Sequence, residues 1–152
     1  MACPALHTHP CPWLSGLTMQ IDDYFTVPYI DGGRDVAVGL DCWGLVRHVL
    51  HEVFELPLFN GFGRVDRHQA GAIHQGFNES ESSFRLCQPK GGALACCFIR
   101  RGDDFIFHHV GVCISASVVL HTASTHGVKS VPVRAFKRLA PVVKFYEFVG
   151  KD

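Results

Sequence analysis

Cys42 lies in the run Leu40-Asp41-Cys42-Trp43-Gly44-Leu45-Val46, in surroundings that suit a nucleophile. Leu45, Val46, Val49, Leu50 and Val53 follow at helical spacing, so the sequence predicts an amphipathic helix over about 41–55, ended by Pro57, with Cys42 in its first turn. The dipole and the free N–H groups at a helix start favour a thiolate over a thiol. A thiol used for attack needs a general base within hydrogen-bond reach, and the base needs a third group to hold its ring. His109 and His121 each sit in an apolar, strand-like run and are the candidates for those two roles.

In His109-Val110-Gly111-Val112-Cys113-Ile114, strand alternation puts His109, Gly111 and Cys113 on one face, and the glycine leaves that face uncrowded. Val118-Val119-Leu120-His121-Thr122-Ala123 reads as the next strand, joined through Ser115-Ala116-Ser117. Antiparallel pairing would bring His121 beside His109, and a Cys42 helix packed on that sheet would bring the thiol to His109. A histidine in an apolar strand is more often a satisfied core residue, and a cysteine at a helix start is more often structural. The order and local contexts of the three residues together point to thiol chemistry.

The elements that must position them follow from the rest of the chain. Its 152 residues suit one domain with a real core, and 47% apolar with 18% charged residues is a globular composition. Residues 1–18 stand apart: Pro4, Pro10 and Pro12 interrupt Cys3, His7, His9 and Cys11, and no periodicity appears. They read as a loose N-terminal extension, with the domain over 19–152 and a natural-looking start at Met19. A metal clip through Cys3, His7, His9 and Cys11 is the weaker alternative, because the spacing is not that of a standard zinc site. Residues 22–33 and 58–65 read as loops, and 66–79 as a short helix weakened by Gly71 and Gly76. The second half changes period. Strands are predicted over 93–99, 105–115, 118–123, 129–133 and 142–149, with a polar hairpin turn at Arg100-Arg101-Gly102-Asp103-Asp104 and one helical turn within 134–139. Helix first and an antiparallel meander of about five strands after it is an α+β layout, with the helix that carries Cys42 packed on the sheet.

Fourteen acidic and fourteen basic side chains give a formal net charge of zero, so nothing calls for nucleic acid or an anionic membrane as partner. No apolar run reaches transmembrane length, and the first residues lack the basic start and continuous apolar core of a signal peptide. Seven cysteines is an odd number, so at least one thiol stays out of intramolecular disulfides; Cys96, Cys97 and Cys113 read as small buried hydrophobes. The many cysteines and histidines also admit a metal-binding domain, which no paired C-x-x-C spacing supports, so no metal or other cofactor is expected.

The motifs resemble those of the NlpC family of bacterial and phage cell-wall cysteine peptidases. Asp41-Cys42-Trp43-Gly44-Leu45-Val46 is similar to the family's D-C-[SW]-G-[LF]-[VF] nucleophile motif. His109-Val110-Gly111-Val112 and Leu120-His121-Thr122-Ala123-Ser124 are similar to its H-V-G-[IV] and [IV]-H-A-S segments, and Tyr29 with Gly32-Gly33 resembles its tyrosine-x-x-Gly-Gly stretch. The likeness spans about residues 22–148, and Trp43 with Val53-Phe54-Glu55-Leu56-Pro57 looks most like the short members encoded in phage tail gene clusters. It implies a papain-like core and a Cys-His-His triad, with Cys42 as nucleophile, His109 as base and His121 as the group orienting it. Tyr29 and Trp43 would line the substrate cleft, the Cys42 amide would help to hold the oxyanion, and Asp41 would cap the helix. The implied substrate is an amide bond in a peptidoglycan stem peptide, and phage tail proteins are the implied partners. The chain would be made in the bacterial cytoplasm and act at the wall, delivered by something other than a classical export signal. One departure stands out: Lys90-Gly91-Gly92-Ala93-Leu94 occupies the place of the family's Gly-Asp-Leu turn and lacks the aspartate. The alternative reading is a structural tail-assembly protein with the peptidase fold and little activity.

Overall fold

The computed structural model describes residues 19–59 and 83–150. The extension over 1–18 and the expected helix over 66–79 lie outside the described residues. The described chain is mixed α+β. A 3-10 helix, Ile21–Thr26, leads into a small antiparallel hairpin of β1 (Arg34–Asp35) and β2 (Gly39–Leu40), then α1 (Cys42–Glu52). After it come β3 (Phe84–Cys87), β4 (Leu94–Arg101), β5 (Asp104–Cys113), β6 (Val118–Ala123), β7 (Gly127–Pro132), the single turn α2 (Val133–Phe136) and β8 (Val142–Phe148).

α1 forms where its apolar spacing predicts, and Leu45, Val46, Val49 and Leu50 are fully buried. Asp41 is the N-cap, its side chain accepting from the Gly44 N–H at 2.7 Å. The helix stops three residues before the expected Glu55. Glu55 adopts a left-handed conformation (φ 58°), and the chain folds back so that the Leu56 N–H reaches the Leu50 carbonyl at 3.0 Å. Pro57 therefore stands just after a turn that has already ended the helix.

The main sheet has six strands in the order β3-β8-β4-β5-β6-β7, with every adjacent pair antiparallel. Two features depart from a five-stranded meander. β3 is an extra edge strand, short and mostly solvent-facing, with little periodicity to reveal it. β8 does not extend the meander beyond β7 but crosses back to lie between β3 and β4, where Phe145 faces Ala95 and is buried on both sides. A central position buries more of an apolar strand than an edge would.

α1 packs on one face, against Leu94, Cys96, Phe98, Val110, Val112 and Leu120. The other face, with Ala95, Cys97, Cys113, Val119 and Phe145, is closed by Phe136 of α2. The five described cysteines are all free thiols; Cys42, Cys96, Cys97 and Cys113 are buried and Cys87 is half-buried. Among the described residues, no helix is long and apolar enough to cross a membrane.

Candidate active site

Two irregularities in the sheet create the site. The first is a bulge. Cys97 pairs with His109 and Phe98 with Phe107, so His108 is an extra residue on β5 without a partner on β4. A bulge re-aims the side chains around it, and both His108 and His109 reach the same cleft. The second is a short ladder. β5 and β6 pair only at Val112↔Leu120 and Cys113↔Val119, so the β5 segment before Val112 and the β6 segment after Leu120 are not laddered to each other. By register His109 belongs to the sheet face opposite α1, not to the face on which the helix packs. Cys42 nevertheless shares a cleft with His109, because the helix N-terminus meets this unpaired stretch and the Val110 amide is directed at the Cys42 sulfur.

The cleft has a volume of about 270 Å³, and its walls include Cys42, Cys97, His109, His121 and Tyr29. His109 Nε2 lies 3.0 Å from His121 Nδ1, and both rings pack against Phe136 at centroid distances of 6.0 and 5.3 Å. Gly111 allows this closeness: a Cβ there would stand 3.2 Å from the His121 Cβ and 2.7 Å from Val119 Cγ1.

Tyr29 lines the cleft and donates its hydroxyl proton to Asp31 Oδ1 at 2.7 Å. Trp43 is elsewhere. It packs in the core under the helix and is not on the cleft wall, because the first turn of α1 directs it inward. Several residues reach the site without having been assigned a role from sequence. His126, expected as a turn residue, occupies the β6–β7 turn and also lines the cleft, its ring 5.2 Å from that of His121. Leu139 stands at the exposed rim. Cys97 enters through its pairing with His109, and only the bulge register could have revealed that. Arg34 sits behind the start of α1, donating to Asp41 Oδ1 at 2.6 Å; as the first Lys or Arg of the chain, directly after Gly32-Gly33, it carried some signal.

The protonation states differ from the helix-start expectation. Burial, with a smaller contribution from Asp41, pushes the Cys42 thiol up to about 12; the amides of Val110 and Trp43 and the charge of Arg34 pull only partly the other way. A helix N-terminus is worth about 0.3–1 kcal/mol, less than one pKa unit. Burial can shift a group by about 3–5 units, so burial wins. His109 is held well below the ordinary histidine range by burial first, then by repulsion between its imidazolium and the neighbouring titratable rings of His121, His108 and His126. His121 is lowered by burial, His126 and Lys129. The resting cleft therefore holds a neutral thiol and two neutral imidazoles.

The arrangement can do thiol chemistry in which the proton moves as the bond forms. If His109 Nε2 donates to His121 Nδ1, then His109 Nδ1 is its basic nitrogen and His121 carries its own proton on Nε2. No family model matches the chain, and no curated protein matches it.

Proposed function

We propose that this protein is a cysteine peptidase of the NlpC type, with a papain-like core, that cleaves an amide bond in the stem peptides of peptidoglycan. The observation that carries the reading is the 3.0 Å pair of His109 Nε2 and His121 Nδ1 in the cleft that Cys42 also lines. The three motifs that resemble the family supply those three residues in the family's order.

The steps follow from the residues. The Cys42 thiol gives its proton to His109 Nδ1 as sulfur bonds to the scissile carbonyl carbon, and the carbonyl electron pair moves onto oxygen. The Cys42 amide, first in the helix and without an intrahelical acceptor, is placed to donate to that oxygen. Collapse breaks the C–N bond, and the leaving amine takes the proton from His109. Water then attacks the thioester, gives a proton to His109, and releases the acid with the thiol restored. His121 holds the His109 ring throughout.

The delivery of such an enzyme to the wall as part of a phage tail belongs to the same proposal. One observation favours the second reading, a tail-assembly protein with little activity: the thiol is buried and strongly disfavoured as thiolate. Purified protein assayed on stem-peptide fragments and on whole wall material separates the two. Release of new amines by wild type, lost in Cys42→Ala, supports the peptidase. Release unchanged in Cys42→Ala excludes Cys42 as nucleophile, and no release from a folded wild-type sample moves the reading to the tail protein.

A further inference from the structure

Arg34 and Asp41 form a nearly buried ion pair immediately behind Cys42. Arg34 Nη1 lies 2.6 Å from Asp41 Oδ1, with side chains 18% and 6% exposed, and the same nitrogen donates to the Gly33 carbonyl at 2.8 Å. Register explains the meeting: Arg34 pairs with Leu40 across the β1–β2 hairpin, and Asp41 follows directly. Asp41 is also tied on both its oxygens, Oδ1 to the Gly44 N–H at 2.7 Å and Oδ2 to the Gly32 N–H at 3.2 Å. Gly44 must be glycine for this to close, since a Cβ there would collide with the Gly33 carbonyl oxygen.

The helix cap thus places a carboxylate next to the residue that has to lose a proton. A neutral cap such as serine or asparagine would hold the helix start as well. We propose that Arg34 is a positioning residue for Cys42, whose guanidinium fixes the Asp41 carboxylate at the helix start and cancels its charge at the sulfur. The directions of charge agree: Asp41 disfavours the Cys42 thiolate and Arg34 favours it. Other titratable groups near the sulfur are the thiols of Cys96 and Cys97 on β4 and, on the shared cleft, His108, His109, His121, His126 and Tyr29. Substitutions at the Arg34–Asp41 pair change the field at the sulfur and leave the His109 and His121 side chains in place.

The proposal rests on Cys42 being the reactive thiol, and its test needs no substrate. The rate of iodoacetamide alkylation at Cys42, located by peptide mass spectrometry, is followed from pH 7 to pH 9.5 on folded protein. At fixed pH the rate tracks the thiolate fraction. Arg34→Met should slow alkylation about fivefold or more, since a neighbouring unit charge carries about that weight even when screened as in bulk water. Asp41→Asn keeps the cap and removes the charge, and should speed alkylation by a similar factor. The double variant should return close to wild type. A purely structural tie would give effects of the same sign, so a slower Asp41→Asn, or an Arg34→Met no slower than wild type, overturns the proposal. If Arg34→Met fails to fold, Arg34→Lys decides: it keeps the charge and should stay within about twofold of wild type, whereas a fivefold loss overturns the charge role. A chain that alkylates as expected and cleaves no wall peptide would sink the peptidase reading and leave this one standing.

Discussion

Gly111 and His121 approach so closely that a single methyl group on the glycine would stand 3.2 Å from the His121 Cβ. The same methyl would lie 3.0 Å from the Leu120 carbonyl oxygen, which belongs to the backbone and cannot rotate away. Gly111→Ala should therefore cost about 1–3 kcal/mol, as overpacking does, and push His121 off His109. Urea unfolding measures the first effect, and the His109 and His121 ring signals in NMR report the second. An unchanged midpoint with unchanged ring signals would contradict the close packing.

The His109–His121 hydrogen bond sets a graded expectation for substitutions. His121→Gln retains an acceptor for the His109 Nε2 proton, while His121→Ala leaves that proton without its partner in a part-buried setting. The glutamine variant should keep more of kcat than the alanine variant. His109→Ala should lose about 10²–10⁴-fold, the usual worth of a general base. Equal losses for the two His121 variants on a cleaved wall peptide would remove the orienting role.

A neutral resting pair predicts a broad activity profile. His109 binds a proton only well below the ordinary histidine range, because burial first and then repulsion from the neighbouring histidine rings oppose the imidazolium. The acid limb of kcat/KM should accordingly fall below the ~6.5 of an unperturbed histidine, and activity should persist at about pH 5.5. An acid limb at or above 6.5 would show instead that the imidazolium is stabilised in the free protein, as in a preformed ion pair.

Stability should depend on pH at both ends. As pH falls through about 6.5, the unfolded chain binds protons at His109 and His121 that the native state refuses, until their folded values of about 3 and about 4 are reached. His48, also lowered by burial, adds to that loss. Above about 8.5, the unfolded chain releases thiol protons that Cys42, Cys97 and Cys113 retain, since burial raises them to about 12, about 12 and about 11. The urea midpoint should be highest between about pH 6.5 and 8.5 and fall on either side. Replacing both His109 and His121 by glutamine should reduce the acid slope, and a slope unchanged by the double substitution would mean that carboxylates alone produce it.

Local sequence determined much of this protein. The apolar spacing after Cys42 and the side chain of Asp41 suffice to start and face α1, since a cap and an amphipathic stripe are short-range properties. The strand at Val118–Ala123 and the hairpin over Arg101↔Asp104 also follow from alternation and turn residues close in the chain. The pairing of His109 with His121 was legible because one short turn joins their strands.

Relationships between distant segments needed the tertiary structure. The return of β8 between β3 and β4 depends on which edge of the sheet buries it best, and no local pattern encodes that choice. The bulge at His108 breaks the period-2 rule that strand reading relies on, and it changes which side chains reach the cleft. Trp43, next to Cys42 in sequence, turns into the core, whereas Cys97, 54 positions further along, enters the cleft. The charge state of Cys42 was decided in the same way. The helix start is a local property that favours a thiolate by a fraction of a pKa unit, while desolvation by the packed sheet acts in the opposite direction and is several times larger.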